Sequence, residues 1–205
     1  MSFPDFNASD AHIQWQRFCD LSWYHDDLGV WLDISRMHVN ATDLQQLQPR
    51  MDKAFAAMQE LEAGAIANPD EQRQVGHYWL RTPELAPSSE LQQHISREID
   101  LIAAFGRDVS NGTIKAPNGE AFTDVLWIGI GGSGLGPALM IKALQNPGEG
   151  LPFHFFDNVD PNGMSNVLAG LEGRLDRTLV VTVSKSGGTP EPHLGMEQAR
   201  HRLEA

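Results

Sequence analysis

Apolar residues in the first half of the chain recur at steps of three and four. Leu44, Leu47, Met51, Phe55, Met58 and Leu61 predict an amphipathic helix closed by Gly64, with Pro49 in its first turn. Leu91, Ile95, Ile99, Ile102 and Phe105 predict a second, opened by a capping box of Ser89 and Gln92. The turn-rich stretch SNGTIKAPNGE (110–120) ends this region. The rhythm then changes to continuous apolar runs: VLWIGI from Val125, FHFF from Phe153 and TLVVTVS from Thr178. Such runs suit strands covered on both faces of a parallel sheet. Each precedes a predicted helix. The first opens at Pro137 and stops at Asn146-Pro147, the second runs through Val167 and Leu168, and the third begins near Thr189-Pro190.

The order β-α-β-α-β-α predicts an α/β fold with a doubly wound, mostly parallel sheet. A helical N-terminal region (1–120) precedes the first three βα units (121–205). Complete domains of this kind have about five or six strands, and three would leave a sheet edge uncovered. The expectation is therefore a piece of a longer protein.

Composition narrows the functional classes. Fifteen Lys and Arg against 27 Asp and Glu leave a net charge of −12, the opposite of the balance that phosphate-neutralising nucleic-acid binders carry. An anionic ligand would need a local positive site. Cys19 is the single cysteine, so no internal disulfide can form. The N-terminus has neither a basic segment nor an apolar core of a signal sequence, and no apolar run is long enough to cross a membrane. The sequons at Asn7, Asn40 and Asn111 then read as chance matches, and a cytoplasmic location is the economical expectation.

The first strand-like run leads into VLWIGIGGSGLGP. Gly129, Gly131 and Gly134 satisfy G-x-G-x-x-G, and Asp157 lies 23 residues past the last of them, near where a ribose-binding acid would fall. A nicotinamide dinucleotide, another phosphate, or a ligand-free tight turn would each satisfy this loop. The third run adds a second loop, SKSGGTPEP. Ser184, Lys185, Ser186 and Thr189 place three hydroxyls and an ammonium around two glycines at a strand's end, a suitable set for a phosphate dianion. A dinucleotide fold does not require it. Lys185 precedes its glycines, which excludes a Walker-type loop, and Ser133 does not have the spacing of a nucleophile elbow. His193 and His201 have no ligand partner at metal-binding spacing. Trp15, Trp23 and Trp31 are expected in the packing of the N-terminal region, and Asp26-Asp27 in a solvated turn.

With both loops in view, the sequence resembles the phosphoglucose isomerase family of the sugar-isomerase (SIS) superfamily. IGIGGSGLGP (128–137), DNVDP (157–161) and VVTVSKSGGTPEP (180–192) carry the resemblance, with GHYWLR (76–81) less specific. It implies a flavodoxin-like SIS domain and interconversion of glucose 6-phosphate and fructose 6-phosphate through a cis-enediol, with no cofactor and no metal. It assigns the phosphate to Ser184, Lys185, Ser186 and Thr189, and the sugar to Gly132 and Ser133. Pro192 stands where many relatives have a threonine, so that position offers no hydroxyl. The resemblance puts the catalytic glutamate, arginine, histidine and lysine in later sequence. It therefore implies an N-terminal fragment carrying the phosphate-binding half of a homodimeric enzyme. The rival readings are a non-catalytic sugar-phosphate-binding SIS module and an NAD-binding oxidoreductase domain.

Overall fold

The computed structural model describes residues 3–146 and 148–204. The chain divides into two compact units, Met1–Ser96 and Arg97–Ala205.

In the first unit, α1 (Ala11–Leu21) is capped by Asp10, whose carboxylate accepts the amides of His12 and Ile13. An antiparallel hairpin follows, β1 (Ser22–His25) and β2 (Val30–Asp33), with Asp26 and Asp27 in its turn as expected. The hairpin was not signalled, because aromatics on both faces mask the alternation that marks a half-buried strand. Trp15, Trp23 and Trp31 are 61%, 55% and 66% exposed, which overturns the expectation that they pack the N-terminal region. The buried tryptophan is Trp79. It packs with Ala86 and Ile95, and its indole N–H donates to the Glu62 carbonyl at 3.0 Å. Arg17 is buried too, its guanidinium donating to the carbonyls of Pro4, Ser35, Met37 and Val39. Four acceptors offset the cost of burying that charge.

Helix α2 (Ala41–Glu62) starts eight residues before Pro49. Asn40 and Asp43 form a reciprocal capping box there, so the cap sets the start and the proline sits inside the helix. A short antiparallel pair, β3 (Ile66–Asn68) and β4 (Arg73–Gln74), follows. Helix α3 (Ser89–Ser110) is capped by Ser88, whose Oγ accepts the Leu91 amide at 3.2 Å, one residue earlier than the predicted Ser89. Gln92 instead donates to the carbonyls of Glu84 and Ala86. The boundary between the units falls within α3.

The second unit follows the predicted order. Strands β5 (Asp124–Ile128), β6 (Phe153–Phe156) and β7 (Thr178–Thr182) form a wholly parallel sheet in the order β6-β5-β7. Helices α4 (Gly132–Leu144), α5 (Pro161–Gly170) and α6 (Pro190–Leu203) follow the three strands. Alternate residues of β5 face opposite sides. Leu126 and Ile128 join Phe156, Leu171 and Ala199 in the main core, against Met164, Val167 and Leu168 of α5. Val125 and Trp127 face α4 and the C-terminal half of α3 across a cavity of about 620 Å³ lined also by Phe105, Met140, Phe153 and Val181. Helix α4 begins five residues before Pro137, where the sequence had predicted its start. The expected stop at Asn146-Pro147 includes Pro147, which lies outside the described residues; the helix itself ends at Leu144.

Candidate functional site

The strand order decides where a ligand can reach the sheet. The chain passes from β5 through α4 to β6 on one side, then crosses through α5 to β7 on the other. Between β5 and β7 the connections leave in opposite directions, and open α/β sheets take their ligands beyond the carboxyl ends of the strands at such a point. The two glycine loops are the loops at that point. They are joined at their base by the Val183 amide, which donates to the Ile128 carbonyl at 2.8 Å.

The first loop turns on Gly131, the N-cap of α4, at φ 54° and ψ −125°, a conformation that side chains disfavour. The chain then packs so closely that a Cβ on Gly134 would collide with the Gly129 carbonyl oxygen. The first turn is tight: Ser133 N–H bonds to the Ile130 carbonyl, and the amides of Gly134 and Leu135 both bond to the Gly131 carbonyl. Gly132 is exposed, Ser133 is half-buried, and the positive end of the helix lies at both. Pro137 removes the amide that would bond the Ser133 carbonyl four residues back. That carbonyl is taken by the Trp127 indole N–H at 2.8 Å.

The second loop is held by its own hydroxyls. Ser184 Oγ accepts the Gly187 amide at 3.0 Å, and Ser186 Oγ accepts the Gly188 amide at 3.2 Å while lying 3.3 Å from Thr189 Oγ1. Lys185 and Ser186 are exposed; Ser184 and Thr189 are half-buried. Thr189 occupies the N-cap of α6, yet its hydroxyl makes no cap bond. Pro190 and Pro192 remove two of the amides a helix start would ordinarily aim at an anion. Donors at this loop are therefore side chains and loop amides more than the helix end. Pro192 is buried and contributes packing.

The other candidates fall elsewhere. Asp157 is exposed at the end of β6, where Asn158 donates to it, and Asp160 caps α5 through the Gly163 amide. His193 and His201 are exposed on α6. At the opposite, amino edge of the sheet, sequence reasoning missed an ionic cluster. Asp124 is fully buried and accepts from Arg174 Nη1 at 2.7 Å, Thr123 Oγ1 at 2.8 Å and the His154 ring at 2.9 Å. Burial pushes its carboxyl up, but the hydrogen bonds from His154 and Thr123 and the charge of Arg174 outweigh it, so the group titrates below its ordinary value of 3.8. An acid directly before the apolar run was its only sequence signal.

Two glycine-hydroxyl loops at the switch point of a doubly wound parallel sheet define the second unit as an α/β domain. Residues 33–205 match the phosphoglucose isomerase family model, and the chain belongs to that family. Over all 205 residues it is 98% identical to glucose-6-phosphate isomerase of Synechococcus sp. (strain CC9605), covering 38% of that protein. It is 78% identical to the glucose-6-phosphate isomerase of strain CC9902, covering 38% of it, and 73% identical to that of Prochlorococcus marinus (strain MIT 9313), covering 37%. The chain thus spans well under half the length of these relatives.

Proposed function

We propose that this chain carries the phosphate-holding part of an aldose–ketose isomerase that interconverts glucose 6-phosphate and fructose 6-phosphate. The observation that carries the reading is the pairing, at one switch point, of the Ser184–Lys185–Ser186–Thr189 loop with the Gly132–Ser133 helix start. Family membership and the names of the relatives supply the reaction.

In this reading the three hydroxyls and the Lys185 ammonium bind the phosphate, which does not react. Gly132 and Ser133 meet the sugar. Holding the non-reacting end positions C1 and C2 and lends binding energy to the step there. That step moves a hydrogen between C2 and C1 of one molecule through a cis-enediol, so no external oxidant is consumed. It needs a base within hydrogen-bond reach of the C1/C2 proton. No residue of 1–205 is assigned that role, and Glu191 and His193 are not recruited to it. The whole protein would act as a cytoplasmic homodimer on a small-molecule substrate.

The test is Lys185→Ala in the full-length protein. Hydrogen bonds to charged groups contribute about 1.5–3 kcal/mol, so binding of glucose 6-phosphate should weaken on the order of ten- to a hundredfold. Unchanged affinity would overturn the assignment. The dinucleotide reading rests on Asp157 and requires NAD(H) to bind, with affinity indifferent to Lys185.

A further inference from the structure

Nothing in the phosphate reading calls for Trp127, yet it makes the one side-chain bond to the first turn of α4 among the described residues. Apart from that bond, backbone bonds hold the turn: Ser133 donates to the Ile130 carbonyl, and Gly134 and Leu135 to that of Gly131. Three of its first five residues, Gly132, Gly134 and Gly136, are glycines with high backbone freedom, and Pro137 withholds the amide that would bond Ser133. The Ser133 carbonyl is therefore bonded by a side chain from the strand beneath it. Trp127 is in the central strand β5, paired with Phe155 of β6 on one side and Val181 of β7 on the other, so its backbone is fixed from both sides.

We propose that Trp127 is a positioning residue for the ligand-binding turn: its indole N–H replaces the amide lost at Pro137 and fixes the orientation of Gly132 and Ser133 toward the sugar. This rests on the phosphate reading above, in which Ser133 meets the substrate. The Trp127–Pro137 pair is then one device, an intrahelical hydrogen bond exchanged for one anchored in the sheet. Helix α4 can begin five residues before its proline because of it.

The exchange can be reversed. Trp127→Phe keeps an aromatic ring facing the cavity but removes the donor. Pro137→Ala restores an amide four residues after Ser133. In the full-length protein, Trp127→Phe should raise KM for fructose 6-phosphate about three- to tenfold, the loss of one hydrogen bond, with kcat changed less. Pro137→Ala alone should leave KM near wild type, and the double variant should return most of the lost affinity. Rescue is the readout that a purely structural role for the ring would not give, since Pro137→Ala cannot replace lost packing at residue 127. Thermal melts of all three variants show whether they fold. An unchanged KM in a folded Trp127→Phe variant would overturn the proposal, as would a raised KM that Pro137→Ala fails to reduce. Lys185→Ala, measured alongside, separates the two levels: if it too leaves KM unchanged, the phosphate reading itself has failed.

Discussion

Two glycines of α4 make opposite demands on their surroundings, although they lie two residues apart. Gly134 presses against the Gly129 carbonyl oxygen, whereas a Cβ on Gly136 would meet nothing within 4 Å. Gly134→Ala must push the helix off the strand and should destabilise the unit by about 1–3 kcal/mol. Gly136→Ala should be near neutral, because alanine's smaller loss of backbone freedom is offset by the restriction that Pro137 places on a Cβ just before it. Thermal melts of the two variants check the pair. A neutral Gly134→Ala would mean that the strand-to-helix turn is looser than described. The fingerprint glycines thus have structural work whatever the ligand, which is why the motif alone left three readings open. The proposed sugar-phosphate reading rests on Lys185 and its neighbouring hydroxyls, legible only further along the chain.

Element-scale expectations held where a hydrophobic run was long and its ends were marked by turn residues. The three parallel strands and their alternation with helices were legible because buried strands read as unbroken apolar stretches. Helix starts were less so. Both Pro49 and Pro137 suggested first-turn positions, but capping by Asn40 and the indole bond from Trp127 allow the helices to begin before them. Neither partner is visible in a 3.6-residue period. The Asp124 cluster was likewise hidden, since its members lie 30 and 50 residues apart. It carries a pH dependence. Because the folded group titrates below its ordinary value, its stabilisation is present above that value and is lost as pH falls through the lower folded one. Melts of the wild type should therefore fall steeply below about pH 3.8, and those of Asp124→Asn should fall less. Near neutral pH Asp124→Ala should cost about 3 kcal/mol, at the low end for a broken buried pair because the Arg174 side chain is 40% exposed. Parallel pH profiles for wild type and Asp124→Asn would contradict this account.

At the scale of the whole molecule, the α/β class, the helical N-terminal region and the resemblance to a sugar-isomerase family were all legible. The two small hairpins and the exposed Trp15, Trp23 and Trp31 were not, since large aromatics signal burial by composition alone. The relatives are more than twice as long as this chain. If residues 1–205 hold the phosphate and not the base, they should show no isomerase turnover when purified; measurable turnover would place the base within them. Sugar-phosphate binding by the two loops at the switch point underlies the proposed function. Its most direct test is a titration of full-length wild type and Lys185→Ala with glucose 6-phosphate and, separately, NAD(H). The expected result is sugar-phosphate binding weakened at least about tenfold by Lys185→Ala, with no NAD(H) binding to either protein. Equal sugar-phosphate affinity in the two proteins, or NAD(H) binding that ignores Lys185, would contradict it.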